Sequence, residues 1–181
     1  MKDFIYPEMM VHVPLCTHKD PKNVLLFSDD AAKLQREISR HENISATTVQ
    51  VSLDNLRCAN DASFDVIISE AVCDATSIAH MSRALNDEGL LVTVHPSLDN
   101  VDENKSIMQA MAHSFKVIMP YRLENGETLL LASKAYHPTA DVILQRADML
   151  DGLSYYNSDI HPAAFAMGNY IRKEYLGVIK N

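Results

Sequence analysis

Two carboxylates, Glu70 and Asp74, follow a short apolar segment that spans Phe64 to Ile68. The segment is typical of a strand buried on both faces, and the carboxyl end of such a strand is a favoured position for catalytic acids. Both residues are therefore candidates for general acid–base chemistry. The alternative is that they are solvated loop residues, because charged side chains are mostly exposed and unpaired.

A second acidic pair, Asp29-Asp30, follows another apolar run, Val24-Leu25-Leu26-Phe27. Strand ends of this kind face ligands in open α/β sheets. The alternative is that the pair caps the helix predicted to follow it, by accepting hydrogen bonds from the free N–H groups of the first turn.

Metal-binding residue types occur near the amino terminus, at His12, Cys16 and His18. Positions i and i+4 share one face of a helix, which would bring two of them together. No fourth ligand follows in sequence, and Pro14 disturbs the helix, so we expect no metal site here.

Composition excludes several classes of protein. The chain has 181 residues, 47% of them hydrophobic, and a formal charge of −8. This predicts one globular domain over 1–181 with neither a disordered tail nor a membrane span, and it disfavours nucleic acid while favouring cationic partners. Three cysteines without C-x-x-C spacing, and a start at Met1-Lys2-Asp3 without an apolar signal segment, predict a cytoplasmic location.

Glycine usage limits nucleotide binding. The first glycine is Gly89, so no glycine-rich loop can follow the first strand. Both the dinucleotide fingerprint and the phosphate loop need glycines there, because the backbone must turn tightly and approach the ligand without a Cβ in the way.

Alternating apolar and amphipathic segments predict a doubly wound α/β fold with a mixed sheet. Asn125-Gly126 predicts a hairpin that closes the sheet with an antiparallel pair, and Gly89 is expected at a helix C-terminus. The segment 54–63 is too short for a usual helical crossover, so we expect a bare loop. Strands are predicted at 24–27, 47–52, 64–68, 90–94, 115–119 and 128–133. Helices are predicted from Tyr6 to His12 and at 30–41, 77–85 and 102–113. Pro14 is expected to end or kink the first of these helices.

Several longer motifs resemble the spermidine synthase family of aminopropyltransferases, from about residue 3 to about residue 175. The most specific is Tyr155-Tyr156-Asn157-Ser158-Asp159-Ile160-His161; the others are Phe4-Ile5-Tyr6-Pro7-Glu8-Met9, His12-Val13-Pro14-Leu15-Cys16, Pro21-Lys22-Asn23-Val24-Leu25 and Phe64-Asp65-Val66-Ile67-Ile68. The resemblance implies a Rossmann-like, methyltransferase-type fold. It also implies transfer of an aminopropyl group from decarboxylated S-adenosylmethionine to putrescine.

The resemblance assigns roles on the diamine side. Tyr6 matches the family tyrosine beside the attacking amine, and Glu70 falls on the family's catalytic aspartate. Tyr155-Tyr156 supplies a second tyrosine near the diamine, and Asp74 lies one position from a second family acid. This implies Tyr6, Glu70 and Tyr156 as catalytic residues, with Asp74 and Tyr155 binding substrate. Tyr6 can instead staple the first helix, and the tyrosine motif can instead be a structural corner.

The cofactor side departs from the family pattern. The glycine-rich loop is replaced by Ser28 to Lys33, with Ala31 at the family aspartate, and Ser52 stands at the glutamate that holds the ribose. Asp29, Asp30 and Asp54 are the remaining acidic candidates for the nucleoside. One helix–strand unit after the second strand and the preceding β-domain are also missing relative to the family.

The sequence therefore predicts aminopropyl transfer that is weak or lost. Decarboxylated S-adenosylmethionine is expected as a co-substrate only of an active protein, and no cofactor is expected to bind tightly. Putrescine or another polyamine is the expected small partner, and a homodimer is the expected assembly. The alternatives are a non-catalytic dimeric scaffold or partner of an active synthase, and a small polyamine-binding protein.

Overall fold

The computed structural model describes residues 2–181. Six strands form one mixed sheet in the order β2-β1-β3-β4-β6-β5. The first four strands in this order run parallel, and β6 pairs antiparallel with both β4 and β5. The strands are β1 Asn23–Phe27, β2 Ser45–Val49, β3 Phe64–Ser69, β4 Leu85–His95, β5 Val117–Arg122 and β6 Thr128–Ser133. The predicted doubly wound class, with a closing antiparallel pair, is confirmed.

Helices cover both faces of the sheet and form two apolar cores. One face packs against the first helix and the segment around Tyr156, and the other packs against the fourth, fifth and eighth helices. The helices are α1 Ile5–Thr17, α2 Ala32–Ile38, α3 Leu53–Cys58, α4 Ala75–Ala84, α5 Val101–Met111, α6 Leu144–Asp148, α7 Ile160–Ala164 and α8 Asn169–Glu174. Within residues 2–181, no helix combines the length and the apolar character that crossing a bilayer requires.

The chain reverses its winding direction between β1 and β3. From β1 it moves outward to β2 and then returns to the other side of β1 to form β3. The connections after β1 and β3 therefore leave on opposite faces, which makes this edge the topological switch point where α/β sheets bind ligands. Phe27 and Ser69 are the last paired residues of the two strands.

Three local predictions were wrong. Helix α1 continues through Pro14 to Thr17, because twelve of its thirteen residues are buried and tertiary packing outweighs one lost backbone hydrogen bond. The segment 54–63 is not a bare loop: α3 begins at Leu53, with the Ser52 hydroxyl accepting a hydrogen bond from the Asn55 N–H at 3.2 Å.

Gly89 lies inside β4 rather than at a helix end. The strand is irregular here, since Phe64 pairs with Leu85 but Val66 pairs with Leu90. A Cβ at Gly89 would lie 2.8 Å from the Leu85 Cβ, so the close approach of the backbone at this irregularity explains the glycine. The hairpin prediction is confirmed, since Gly126 has a φ of +89° between β5 and β6. The second and fifth strands occupy 45–49 and 117–122 instead of the predicted 47–52 and 115–119.

Candidate functional site

Glu70 lies at the switch point, between the ends of β1 and β3. Its backbone N–H donates to the Phe27 carbonyl at 2.9 Å, which extends the β1–β3 pairing by one step. Its carboxylate accepts a hydrogen bond from the Ser28 hydroxyl. Ser28 is only 2% exposed and also accepts the Asp30 N–H at 3.1 Å. The side chain of Ser28 thus bridges the crevice between the two strand ends.

Tyr6, near the start of α1, brings its hydroxyl beside the Glu70 carboxylate. Burial raises the pKa of Tyr6 well above its usual value, and the charge of Glu70 raises it further. Tyr6 therefore keeps its proton at neutral pH and is not a base. In this pair the carboxylate of Glu70 is the group able to accept a proton, and the phenol can orient a neighbouring amine.

A cavity of about 520 Å³ opens beside Tyr6. Three carboxylates line it: Glu127 contributes to the raised pKa of Tyr6, and Asp3 and Glu124 also line the space. Two lysines share it, and Lys2 forms an ion pair with Glu124. The cavity therefore offers carboxylates to a small organic cation next to the Tyr6–Glu70 pair.

Asp74, predicted to bind substrate, is an exposed helix cap. Its carboxylate accepts the Ser77 N–H at 2.7 Å, and the Ser77 hydroxyl bonds the Asp74 N–H at 2.9 Å, completing a capping box for α4. The hydrogen bond from the Ser77 backbone is the main cause that lowers the pKa of Asp74. One oxygen of this carboxylate caps α4, and a role of Asp74 in binding a diamine stays a prediction.

Two of the three carboxylates expected on the nucleoside side, Asp29 and Asp54, are bonded within the chain. Asp29 accepts the Val51 N–H at 3.0 Å and ties the loop after β1 to the end of β2. Asp54 bonds Arg57 within α3 at 3.2 Å. The capping alternative for Asp29-Asp30 is wrong, because α2 begins after Ala31 with no side-chain cap.

The tyrosine motif folds back on α1 through a residue that sequence reasoning missed. Glu8 is 2% exposed, and its carboxylate accepts three backbone N–H groups, from Ser154, Tyr155 and Tyr156, at 2.8 to 2.9 Å. Three charge-assisted hydrogen bonds at one buried carboxylate fix this corner firmly. The one sequence signal for it is that Glu8 is the only charged residue in a mostly apolar helix.

Tyr156, predicted to be catalytic, is buried in this corner. Its hydroxyl is 2.7 Å from His161 Nδ1, and His161 Nε2 is 2.9 Å from the Pro138 carbonyl. The carbonyl can only accept, so Nε2 carries the proton and Nδ1 accepts from Tyr156. Burial raises the pKa of Tyr156 above its usual value. The structure therefore favours the structural alternative for Tyr156, while the half-buried Tyr155 packs on the same core.

His12, considered above as a metal ligand, lies in a buried polar network. The described residues hold no group of three or more His, Cys, Asp or Glu side chains placed to bind a metal ion. His12 instead contacts His41 at 2.9 Å and Glu37 at 3.2 Å, inside a buried polar network. Neither His41 nor Glu37 carried any sequence signal for this role.

Comparison with known proteins places these motifs in context. The family model for the spermine/spermidine synthase domain matches residues 3–59. The chain is 25% identical to the polyamine aminopropyltransferase of Helicobacter acinonychis (strain Sheeba), covering 92% of this chain and 75% of that protein. It is 26% identical to polyamine aminopropyltransferase 1 of Bacillus cereus, covering 93% and 78%.

Solved structures show the same fold. Spermidine synthase from Thermotoga maritima superposes with a TM-score of 0.83 at 22% identity, covering 95% of this chain and 74% of that one. A phosphoethanolamine N-methyltransferase from Haemonchus contortus matches at 0.53 and 14% identity, covering 78% and 41%. The alignment with the Helicobacter acinonychis protein runs over 202 residues, more than this chain has, so that relative contains internal segments absent here.

Proposed function

Because the chain belongs to the spermine/spermidine synthase family, we propose that it is a protein of polyamine metabolism in which aminopropyl transfer is weak or lost. The family uses decarboxylated S-adenosylmethionine as a co-substrate, and one structure similar to this chain is a spermidine synthase in complex with the transition-state analogue AdoDATO. The proposal concerns the binding of that nucleoside donor by this chain.

One observation carries the proposal: polar side chains after β1 and β2 are bonded within the chain. Ser28 bonds Glu70, Asp29 bonds the Val51 N–H, and Ser52 caps α3. A bound nucleoside would need acceptors for its sugar hydroxyls at this edge. A nucleoside that used the same acceptor atoms would displace an existing hydrogen bond, which costs about 1 kcal/mol or more per group.

Side chains in the loop after β1 also keep a nucleoside from approaching the backbone closely. Ser28, Asp29 and Asp30 carry side chains where a nucleoside-binding loop needs glycines, and Ala31 offers no carboxylate. The Ser28 side chain is buried between β1 and β3, the crevice that an adenosyl group would enter. The loss therefore involves several positions, and no single side chain accounts for it.

Any residual transfer would proceed at the Tyr6–Glu70 pair. The amine nitrogen would attack the carbon beside the sulfonium, forming the C–N bond as the C–S bond breaks and the thioether leaves. The proton released from nitrogen would pass to the Glu70 carboxylate, while the protonated Tyr6 hydroxyl orients the amine. A glutamate reaches one methylene further than an aspartate, and a misplacement of about 1 Å can cost on the order of a hundredfold in rate.

Isothermal titration with methylthioadenosine and with decarboxylated S-adenosylmethionine tests the proposal directly. We expect no binding in the micromolar range for this chain. The spermidine synthase of Thermotoga maritima, titrated under the same conditions, is the matched positive control. Micromolar binding by this chain would show that the bonded loop opens for the nucleoside, and the proposal would then be wrong.

A second candidate function, binding of a polyamine without transfer, is favoured by the acidic cavity beside Tyr6. Glu70 and Glu127 face this hydroxyl, and the chain carries a charge of −8. Putrescine carries two ammonium groups, and carboxylates bind such groups through charge-assisted hydrogen bonds. An uncharged molecule of the same length cannot make these hydrogen bonds.

Thermal-shift measurements with putrescine, and with 1,4-butanediol as the uncharged control of similar length, test the second candidate. We expect a stabilising shift with the diamine alone, reduced in Glu70→Gln and retained in Asp74→Asn. Asp74→Asn is the matched control because it also removes one carboxylate from the same edge. The absence of any shift at millimolar putrescine would exclude this candidate.

A further inference from the structure

Strand β2 is an exposed edge of the sheet. It pairs with β1 on one side and is the end strand of the order β2-β1-β3-β4-β6-β5. Ser45, Ala46, Thr47 and Thr48 are all exposed, and Val49 is partly buried, so the helices leave both faces of the strand largely uncovered. A strand in this position offers a row of free backbone groups to another chain.

The opposite edge of the sheet is protected. In β5, Ile118 exchanges two backbone hydrogen bonds with Lys180, at 2.8 and 3.0 Å, on the side away from β6. Pro120 faces the same outer side, two residues further along, and has no N–H to offer. These are the usual devices that prevent strand addition, and β2 contains neither a proline nor a charged residue.

The hydrogen bonds to β1 determine which β2 groups are free. The Ser45 N–H donates to the Lys22 carbonyl at 2.7 Å, and the Val49 carbonyl accepts the Ser28 N–H at 3.0 Å. Alternation then directs the N–H and C=O groups of residues 45, 47 and 49 toward β1, and those of Ala46 and Thr48 outward. Among residues 2–181, no backbone or side-chain group is bonded to these outward groups.

We propose that β2 of a second copy of this chain pairs antiparallel with β2, about a two-fold axis at Thr47. The axis places Ala46 opposite Thr48 of the second copy, and both residues direct their N–H and C=O groups outward. Each such pair exchanges two hydrogen bonds, so the two pairs together make four. Thr47 of one copy then lies opposite Thr47 of the other, as a close, non-hydrogen-bonded pair between the two Ala46–Thr48 pairs.

The character of the strand favours a second copy over a charged partner. Residues 43–53 contain no charged side chain, although the whole chain carries −8, so two copies meet here without direct charge repulsion. The pattern of outward groups is symmetric about Thr47, as a two-fold interface requires. Val51 and Leu53, 37% and 36% exposed, add apolar surface beside the strand.

The inference does not depend on the proposed function, because no residue of the Tyr6–Glu70 pair takes part. A five-residue strand pair makes a small interface, so association in the micromolar range is expected. Sedimentation velocity over a range of concentrations should show a monomer–dimer equilibrium for the unmodified chain.

Charge substitutions at the axis give the sharpest test. Thr47→Lys and Thr47→Glu each place two like charges about 5 Å apart in the pair, so each variant alone should dimerise at least about tenfold more weakly. An equimolar mixture of the two should recover the dimer, because Lys then faces Glu. Ser106→Lys, which places the same added charge on the exposed part of α5, should dimerise like the unmodified chain.

Several outcomes would overturn the inference. The unmodified chain would stay monomeric at every soluble concentration, or the Thr47 variants would dimerise as strongly as the unmodified chain. Alternatively, the mixture of the two Thr47 variants would not restore the dimer, or Ser106→Lys would weaken the dimer as much as they do. Ala46→Pro is an independent check, because it removes an outward N–H and leaves the hydrogen bonds to β1 intact. Ala46→Val is its matched control and should keep the dimer.

Discussion

Acidification from pH 7 to 5.5 should remove much of the stability of this fold, because the buried His12, His95 and His161 and the half-buried His41 stay neutral in the folded chain. Burial is the main cause in each case, lowering the pKa of His12 and His41 to about 3 and that of His95 and His161 to about 4. In the unfolded chain each returns to its ordinary value of about 6.5. The unfolded state therefore binds more protons than the folded state between these values.

The resulting stability is present above pH 6.5 and is lost as the pH falls toward 4 to 3. A histidine that stays neutral in the fold but titrates when unfolded contributes a loss of about 1 kcal/mol between pH 7 and 5.5. The Glu37 carboxylate, 3.2 Å from His12, favours the charged imidazolium and offsets part of the effect at that residue. The four residues together therefore give about 3 to 4 kcal/mol, a large part of the stability of many domains. Exposed carboxylates stay ionised in this range, so they do not produce the effect.

His95, at the end of β4, allows the cause to be isolated. It is 7% exposed, and neither ring nitrogen has a hydrogen-bond partner among the described residues. His95→Leu should raise the free energy of unfolding at pH 7 by about 1 kcal/mol or more, since it removes buried unpaired polar atoms. It should also make the unfolding free energy depend less steeply on pH, because the chain then takes up about one proton fewer on unfolding.

Urea unfolding followed by circular dichroism at pH 7, 6.5, 6 and 5.5 measures both quantities. His113→Gln, at an exposed position, is the control and should leave the slope unchanged. The reasoning would be refuted by an unfolding free energy that is flat between pH 7 and 5.5. A slope in His95→Leu equal to that of the unmodified chain would refute the part assigned to His95.

Three further substitutions test single contacts by the change in thermal unfolding. Glu8→Ala should cost about 3 kcal/mol or more, because it leaves three backbone N–H groups unpaired in the core; a loss below 1 kcal/mol would contradict that role. Asp74→Ala should cost about 1 kcal/mol through the lost cap of α4, and a neutral effect would argue against the capping box. Gly126→Val should cost about 1 to 2 kcal/mol because its φ of +89° strains a β-branched residue, whereas Asn125→Ala is expected to cost less.

Local patterns predicted the strands of the sheet but not the exact residues at which they begin and end. The run Val24 to Phe27 and the segment 128–133 are apolar and bounded by polar or turn residues, so their strands could be found from the sequence. Asn125-Gly126 identified the hairpin because a tight hairpin loop needs a residue that tolerates positive φ, which Gly126 supplies. The position of Glu70 at a strand end was likewise readable, since it depends on local order alone.

Long-range contacts could not be read in this way. Pro14 was expected to kink or end α1, but the helix continues to Thr17 because the core around it holds it in place. The burial of Tyr156 depends on Glu8, 148 positions away in the chain, and on the tautomer of His161. Ser52 was interpreted as a lost sugar ligand, yet its hydroxyl starts a helix that the predicted loop did not contain.

The connection between β2 and β3 is short, and its length bears on both the hydrogen-bonded Ser52 and the exposed strand β2. Only residues 50–63 join the two strands, and the six residues of α3 span about 9 Å, whereas β2 extends over about 17 Å. A helix of that length packs against α4 and does not cover the faces of β2. The same helix takes the Ser52 hydroxyl as its cap. The short connection thus engages the Ser52 hydroxyl and leaves β2 exposed, so both features follow from its length.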